Sequence, residues 1–453
     1  MDSTGHSSDS SPTDKPLSVI IVGAGLGGFS ASLALRKQGH KVTILEKSRF
    51  ATETGAAIHI PPNCAVVLKW LGLNPEEFGA NSLNHAKTVL LQMYRYDQHG
   101  TVTAHIEFTQ EMRKNWVADW YLTHRVDFHN ALKAAAVSAD GDGEPVALHT
   151  ACKVVSVDEA AGTVTLEDGR EFHGDVILGA DGVHAVCPGA EPTKLATGCF
   201  RWLVPTSRLA AAGETAEVVK QPGAMIEWGG DDRRLLGYPC ANNTVFNLGA
   251  FLPASEITTS SSGGGGGQSS SKKDDLLRAF AGFSPEVRGL IAEADEAKLM
   301  SWPLTRLDRL PAWTRGRLAL LGDAAHAFEP WLGQGAAMAV EDAVSVATML
   351  PLGTAPEQVP SRLALYERAR VERVSTIQEF TRLSGQYVGQ QNRLTPAQVV
   401  KAHAATCGHN ERECSARVLE EALKGGSPGS GDGVEAMVDT ISSKPGGIQL
   451  SAW

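Results

Sequence analysis

From residue 17 the chain runs Leu-Ser-Val-Ile-Ile-Val, a short β-branched apolar stretch that predicts a buried strand. Glycines at 23, 25, 27 and 28 follow, then apolar residues at helical spacing through Leu33 and Leu35, ended by Gly39. Lys41-Val-Thr-Ile-Leu-Glu46 is a second buried strand, so this segment predicts strand, glycine turn, helix and strand, a βαβ unit. The style returns twice. Asp175-Val-Ile-Leu-Gly-Ala runs into Asp181-Gly182, and Arg317-Leu-Ala-Leu-Leu-Gly runs into Asp323, ahead of a long helix-like segment to Leu350. Glu167-Asp-Gly-Arg-Glu marks a hairpin turn. Residues 190–255 instead alternate apolar and polar positions with many turns, which predicts an antiparallel sheet of different character. No internal repeat is present.

Composition narrows the class. The 453 residues are enough for two or three packed units, and 42% hydrophobic with 20% charged residues is ordinary for a globular chain with a sizeable core. The 41 basic and 51 acidic residues leave a net charge of −10, which argues against nucleic-acid binding. No apolar run approaches the ~20 residues of a membrane span, so no stable membrane insertion is expected. Residues 1–16 are mostly Ser, Asp, Thr and Pro and predict a disordered tail rather than a signal peptide. Seven scattered cysteines fit reduced thiols and a cytoplasmic setting. His403, Cys407, His409 and Cys414 cluster, but residues 401–423 read as a polar helical stretch, and no metal site is expected. The Ser/Gly tract at 258–271 predicts a mobile loop. A Gly/Ser/Pro/Asp patch at 425–433 places the end of the ordered chain near 425.

The sharpest chemical signal is Gly23-x-Gly25-x-x-Gly28 between strand and helix. The first glycine permits the turn, the second lets the backbone approach a pyrophosphate, and the third packs helix on strand. Glu46 ends the next strand, where a carboxylate can accept from ribose hydroxyls. NAD and FAD use the same turn, so this motif alone leaves the dinucleotide open. Asp181 and Asp323 each end an apolar strand, where ligands bind in open parallel sheets; as single residues they are equally well helix caps.

These motifs, in this order, resemble the single-component FAD-dependent aromatic hydroxylases, in particular the salicylate hydroxylase-like branch. The resemblance covers residues 17–380. It includes Thr54-Gly-Ala-Ala-Ile-His-Ile-Pro-Pro-Asn63, Thr123-His-Arg125, Gly322-Asp-Ala-Ala-His326, Pro330, Gly333-Gln-Gly335-Ala336 and Glu341-Asp342. It implies an α/β fold: a discontinuous Rossmann-like FAD-binding domain (17–80, 120–189 and 300–375), an interleaved antiparallel-sheet substrate domain (81–119 and 190–299) and a C-terminal helical segment with a tail (376–453).

By the same resemblance Gly23, Gly25 and Gly28 hold the FAD pyrophosphate and Glu46 the adenosine ribose. Arg125 contacts FAD near its ribose and phosphate, Asp181 serves both FAD and NAD(P)H, and Asp323 takes the ribityl or pyrophosphate portion. Ala57 stands where the family's second glycine does. Gly335 and Ala336 offer amides to the flavin ring, Pro330 lines its oxygen-reacting side, and His326 belongs to the flavin-loop framework. NAD(P)H reduces FAD, O₂ adds, and the flavin hydroperoxide hydroxylates an electron-rich aromatic carbon. The expected substrate is a phenolic or related aromatic small molecule, in secondary metabolism. Arg201 and Tyr238 match substrate-contacting residues of some relatives, suited to holding an oxyanion and sharing a proton. His59 matches a substrate-side histidine suited to proton transfer. The family's Ser and Arg after Asp181-Gly182 are replaced by Ala185 and Pro188, which weakens the expectation of nicotinamide recognition. A flavin-dependent reductase or oxidase and a non-catalytic flavoprotein are the rival readings. A halogenase is disfavoured because Trp-x-Trp-x-Ile-Pro is absent.

Overall fold

The computed structural model describes residues 15–50, 56–82, 91–186, 191–220, 223–257, 271–385 and 396–425. The N-terminal tail up to residue 14, Thr54, Gly55, Pro188, residues 258–270 of the Ser/Gly tract and everything beyond 425 lie outside them.

One six-stranded sheet is built by β1 (Ser18–Val22), β2 (Lys41–Leu45), β7 (Ala147–His149), β8 (Val176–Gly179), β14 (Thr314–Arg315) and β15 (Leu318–Leu320). Its order is β14-β15-β8-β1-β2-β7, parallel except for the short β14 edge. Every residue of β8 and β15, and all of β1 after Ser18, is buried, as strands covered on both faces must be. Helices α1 (Leu26–Lys37), α3 (Arg125–Val137) and α4 (Gly335–Met349) share this core.

A second, seven-stranded sheet contains β4 (Leu91–Asp97), β5 (Val102–Phe108), β9 (Thr193–Pro205), β10 (Ala224–Gly229), β11 (Arg234–Cys240), β12 (Val245–Pro253) and β13 (Met300–Arg306). Its order is β13-β9-β12-β11-β10-β4-β5. It departs from a wholly antiparallel sheet at one place, where β10 pairs parallel to β4. The β4–β5 hairpin arrives from an earlier excursion of the chain, so no tight turn to β10 imposes opposite directions. Alternate residues Phe200, Trp202, Ile226, Trp228, Leu235, Phe246 and Leu248 pack on one face over two short helices, Lys272–Ala279 and Pro285–Ala292. The other face turns toward the first sheet. β3 (Ala57–Ile60) pairs with β6 (Tyr121–His124) between the two layers.

Three segments differ from the sequence expectation. Residues 300–306 pair with β9, so they run in the second sheet rather than in the nucleotide-binding half. The helix-like stretch after Asp323 is a single turn, Asp323–His326, then a loop, then α4, because Pro330 and Gly333 (φ +63°) cannot continue a helix. The polar stretch at 401–423 is two helices, α6 (Pro396–Cys407) and α7 (Glu411–Leu423). They break at Gly408, where the Cys407 carbonyl accepts from the Val117 amide at 3.1 Å. α2 (Pro62–Trp70) and the long α5 (Val359–Ser384) complete the elements used below.

Candidate active site

A cavity of about 640 Å³ runs between the two sheets, from the glycine turn to the polar face of the second sheet. Gly23 adopts φ +102°, and a Cβ there would lie 2.5 Å from the Ala180 carbonyl oxygen. A Cβ on Gly28 would lie 2.1 Å from the Gly23 carbonyl oxygen, so only glycine lets α1 sit this close to its own turn. Gly25 is the N-cap of α1; a Cβ there would meet no atom within 4 Å, because the residue opens onto the cavity. Glu46 leaves β2 and accepts hydrogen bonds from the Ala24 amide (2.8 Å) and the Ser48 amide (2.7 Å), which fixes its carboxylate beside the turn. Asp181 accepts from the Val186 amide at 2.7 Å through Oδ2 while Oδ1 is buried without a partner, and burial raises its pKa. Asp323 and Arg125, at the starts of a helical turn and of α3, face the same space. Gly335 and Ala336 open α4 onto it, and nothing crowds a Cβ at Gly335 within 4 Å.

The loop ahead of α4 is held by a buried ion network. Asp342 Oδ2 accepts from the Gly322 amide (2.9 Å) and His326 Nε2 (2.6 Å), and its Oδ1 from Arg370 Nε (2.8 Å). Glu341 accepts from Arg370 Nη1 (2.7 Å), Arg373 Nη2 (2.9 Å) and Asn63 Nδ2 (2.7 Å), and Asn63 also donates to Gln334 Oε1 (3.0 Å). Burial opposes the charge on Glu341, yet Arg373 and Arg370 outweigh it and hold the carboxyl below its ordinary range. Glu411 of α7 also pairs with Arg370, and His409, 2.8 Å from Glu411, is raised to about 9: burial lowers it, but Glu341, Cys414 and Glu411 prevail. Glu341, Glu411 and His409 converge closely enough for a metal, but both carboxylates are engaged by arginine. Of the four residues noted in the sequence, His403 turns into the cavity, away from His409 and Cys414, which neighbour each other (3.8 Å).

The substrate-side residues also meet. His59 stands edge-on to Tyr238 (4.8 Å between ring centroids) and Trp120 (5.7 Å), and its Nδ1 is buried without a partner. Burial, helped by Arg201 and His403, lowers its pKa to about 3, so the ring is neutral. Arg201 lies over the Phe251 ring (5.5 Å), with Nε buried and unpartnered. Tyr238 donates to the Ala57 carbonyl at 2.9 Å; burial raises its pKa to about 12 against the pull of Arg201. The Ala57 amide donates to Asn247 Oδ1 at 3.0 Å, so the second sheet holds both polar groups of Ala57. The Tyr238 hydroxyl thus donates to backbone while its oxygen stays within hydrogen-bond reach of Arg201.

Sequence reasoning missed Arg95, Glu227, Arg234, Ser384 and His403, all of which line the cavity. The alternation of β10 was the available signal for Glu227; Arg234 opens β11, Arg-Leu-Leu-Gly-Tyr-Pro-Cys, which has no alternation. None existed for His403, which comes from α6.

The glycine turn, the acid at the end of β2 and the open start of α4 fit a dinucleotide with a planar ring system at its far end, as FAD is. The profile of a family described as an FAD binding domain matches residues 16–212 and 286–381. The chain belongs to the FAD-dependent monooxygenases. Among its relatives, the hispidin-3-hydroxylase of Neonothopanus nambi is 35% identical over 382 residues, 80% of this chain and 87% of that protein. The 6-hydroxynicotinate 3-monooxygenase of Pseudomonas fluorescens is 30% identical, over 80% of this chain and 90% of its own. A salicylate hydroxylase substrate complex superposes with a TM-score of 0.69 at 21% identity, covering 90% of the monooxygenase and 98% of that chain. The CtdE enzyme in complex with FAD and a substrate gives 0.72 at 20% identity, covering 90% and 99%. Both share the monooxygenase's fold. Among the described residues no helix is long and apolar enough to cross a membrane.

Proposed function

We propose that this monooxygenase hydroxylates a phenolic or related aromatic small molecule, with NAD(P)H and O₂ as co-substrates, in secondary metabolism and in the cytoplasm. The observation that carries the reading is the meeting of Arg201 and neutral His59 in the cavity onto which the α4 amides open. FAD, when bound, supplies the redox chemistry and the activation of oxygen. Gly23, Gly25 and Gly28 cradle its pyrophosphate, Glu46 takes ribose hydroxyls, and Arg125, Asp181 and Asp323 line its path. The Gly335 and Ala336 amides, at the positive end of α4, favour negative charge on the ring.

Attack on an aromatic carbon is faster when the ring oxygen carries charge. The Arg201 guanidinium stabilises that oxyanion by a charge-assisted hydrogen bond. Neutral His59 is too weak a base to take the phenol proton, which leaves to solvent as Arg201 favours the phenolate; the imidazole packs beside the ring site and orients the substrate. Tyr238, through Ala57, fixes the β3 backbone beside the ring site and is a positioning residue. Asp181, on the cavity wall, serves nicotinamide recognition in this reading, although Ala185 stands where the family's Ser does. The test is NAD(P)H oxidation and O₂ uptake by the FAD-loaded enzyme across phenols, aromatic acids and indoles. Substrate-stimulated oxidation with a product heavier by one oxygen is expected. Failure of NAD(P)H to reduce the flavin under any condition overturns the reading.

A further inference from the structure

Strand register places the substrate-side groups in one line. Arg201 on β9 faces Gly249 on β12, Gly249 faces Leu236 on β11, Leu236 faces Glu227 on β10, and Glu227 faces Arg95 on β4. The four side chains other than Gly249 all line the cavity. A Cβ on Gly249 would be 3.2 Å from Arg201 Nε, so glycine leaves that guanidinium its place. Four inter-strand steps of about 4.8 Å separate the backbones of the two arginines by about 19 Å. The two arginines thus enter the cavity from strands four steps apart.

The Arg95 end is a polar pole of its own. Glu227 stands between Arg95 (3.8 Å) and Arg234 (3.7 Å), within ion-pair range of each. Arg234 is committed to the protein, donating to the Gly385 carbonyl at 2.7 Å and stacking on Trp331 at 4.7 Å. Arg95 Nε is buried and has no hydrogen-bond partner among the described residues. His403 of α6 closes the site above it, packed on Phe108 (5.2 Å) and Trp120 (5.3 Å), with Nδ1 buried and unpartnered. Met93 and Met225, paired in register two positions along from Arg95 and Glu227, offer an adaptable apolar floor beside them.

Resting on the hydroxylase reading, we infer that the substrate is an elongated aromatic molecule whose reacting ring lies at Arg201 and His59 and whose far end carries an anionic group bound by Arg95 beneath His403. A guanidinium whose Nε is buried without a hydrogen-bond partner gains from an anion, and four strand steps between the two arginines favour a long molecule.

The test uses the FAD-loaded full chain and flavin absorbance titrations, so binding is read without turnover. The probes are a hydroxystilbene carboxylic acid and its methyl ester, with hydroxybenzoic acid and its methyl ester as the short pair. The long acid is expected to bind about tenfold tighter than its ester, the worth of one charged hydrogen bond. Arg95→Met is expected to bring that ratio near one, and Arg95→Lys to keep most of it, at unchanged FAD content and Tm. A ratio near one in the unsubstituted enzyme, or a ratio surviving Arg95→Met, overturns the inference. A short-pair ratio that falls with Arg95→Met places Arg95 beside the reacting ring and overturns the elongated arrangement. Arg95-dependent binding without NAD(P)H oxidation leaves the subsite standing and removes the hydroxylase reading instead.

Discussion

The two ends of the cavity are made of different material. The nucleotide end is backbone: glycine turns, helix starts and carboxylates at strand ends, with Gly23, Gly28 and Gly322 in conformations or contacts that side chains cannot share. The substrate end is side chain: Arg95, Glu227, Arg201, Tyr238 and Phe251 standing on one face of a sheet whose other face is core. The family profile stops at 212, resumes at 286 and ends at 381, so β10, β11, β12 and His403 fall outside it. Backbone cradles a constant cofactor. Side chains on a rigid sheet can change substrate without disturbing the fold.

The comparison breaks most sharply at Gly25. Gly25→Ala adds a Cβ that meets no protein atom within 4 Å, so the apoprotein should keep its Tm while FAD affinity falls about a hundredfold, read by fluorescence titration. An equal loss of apoprotein stability would make this glycine a packing residue. Next comes the network joining both ends to the C-terminal helices. Arg370→Met leaves Glu341, Asp342 and Glu411 buried with too little countercharge and should cost about 3–5 kcal/mol in denaturant unfolding. Arg201→Ala should lower kcat/KM by about 10- to 100-fold at unchanged FAD content, because it removes one charge-assisted bond to the substrate alone. A fall in bound FAD would erase the division between the ends.

The smallest effect is one of pH. His409, raised to about 9, gains its partners only in the fold, so its contribution is complete below the ordinary histidine pKa near 6.5 and is lost as pH rises through about 9. Tm should decline across that window, and His409→Gln should flatten the decline.

Legibility followed the same division. The glycine turn, Glu46, Asp181 and Asp323 were readable because each is fixed by its neighbours in sequence, where a strand must end or a turn must close; Gly335 came from the resemblance alone. Alternation across 190–255 announced a sheet with one polar face, but a polar face turned to water and one turned to a cavity have the same period. The period alone therefore assigns Arg234 and Glu227 to neither. The order of strands was hidden too, since nothing local tells β4 to lie parallel beside β10 and bring Arg95 to Glu227. His403 belongs to a polar helical stretch from which no metal site was expected, and only the packing of α6 on Trp120 aims it at the substrate side.

The sequence by itself determined a dinucleotide cradle, the elements around it and, through resemblance, the flavin chemistry, because those depend on short-range geometry and on glycines where a Cβ cannot fit. Tertiary structure alone decided what the cavity can hold. That depends on which strands neighbour which, on a helix from the far end of the chain closing the site, and on burial that neutralises His59 and leaves two arginine nitrogens without partners.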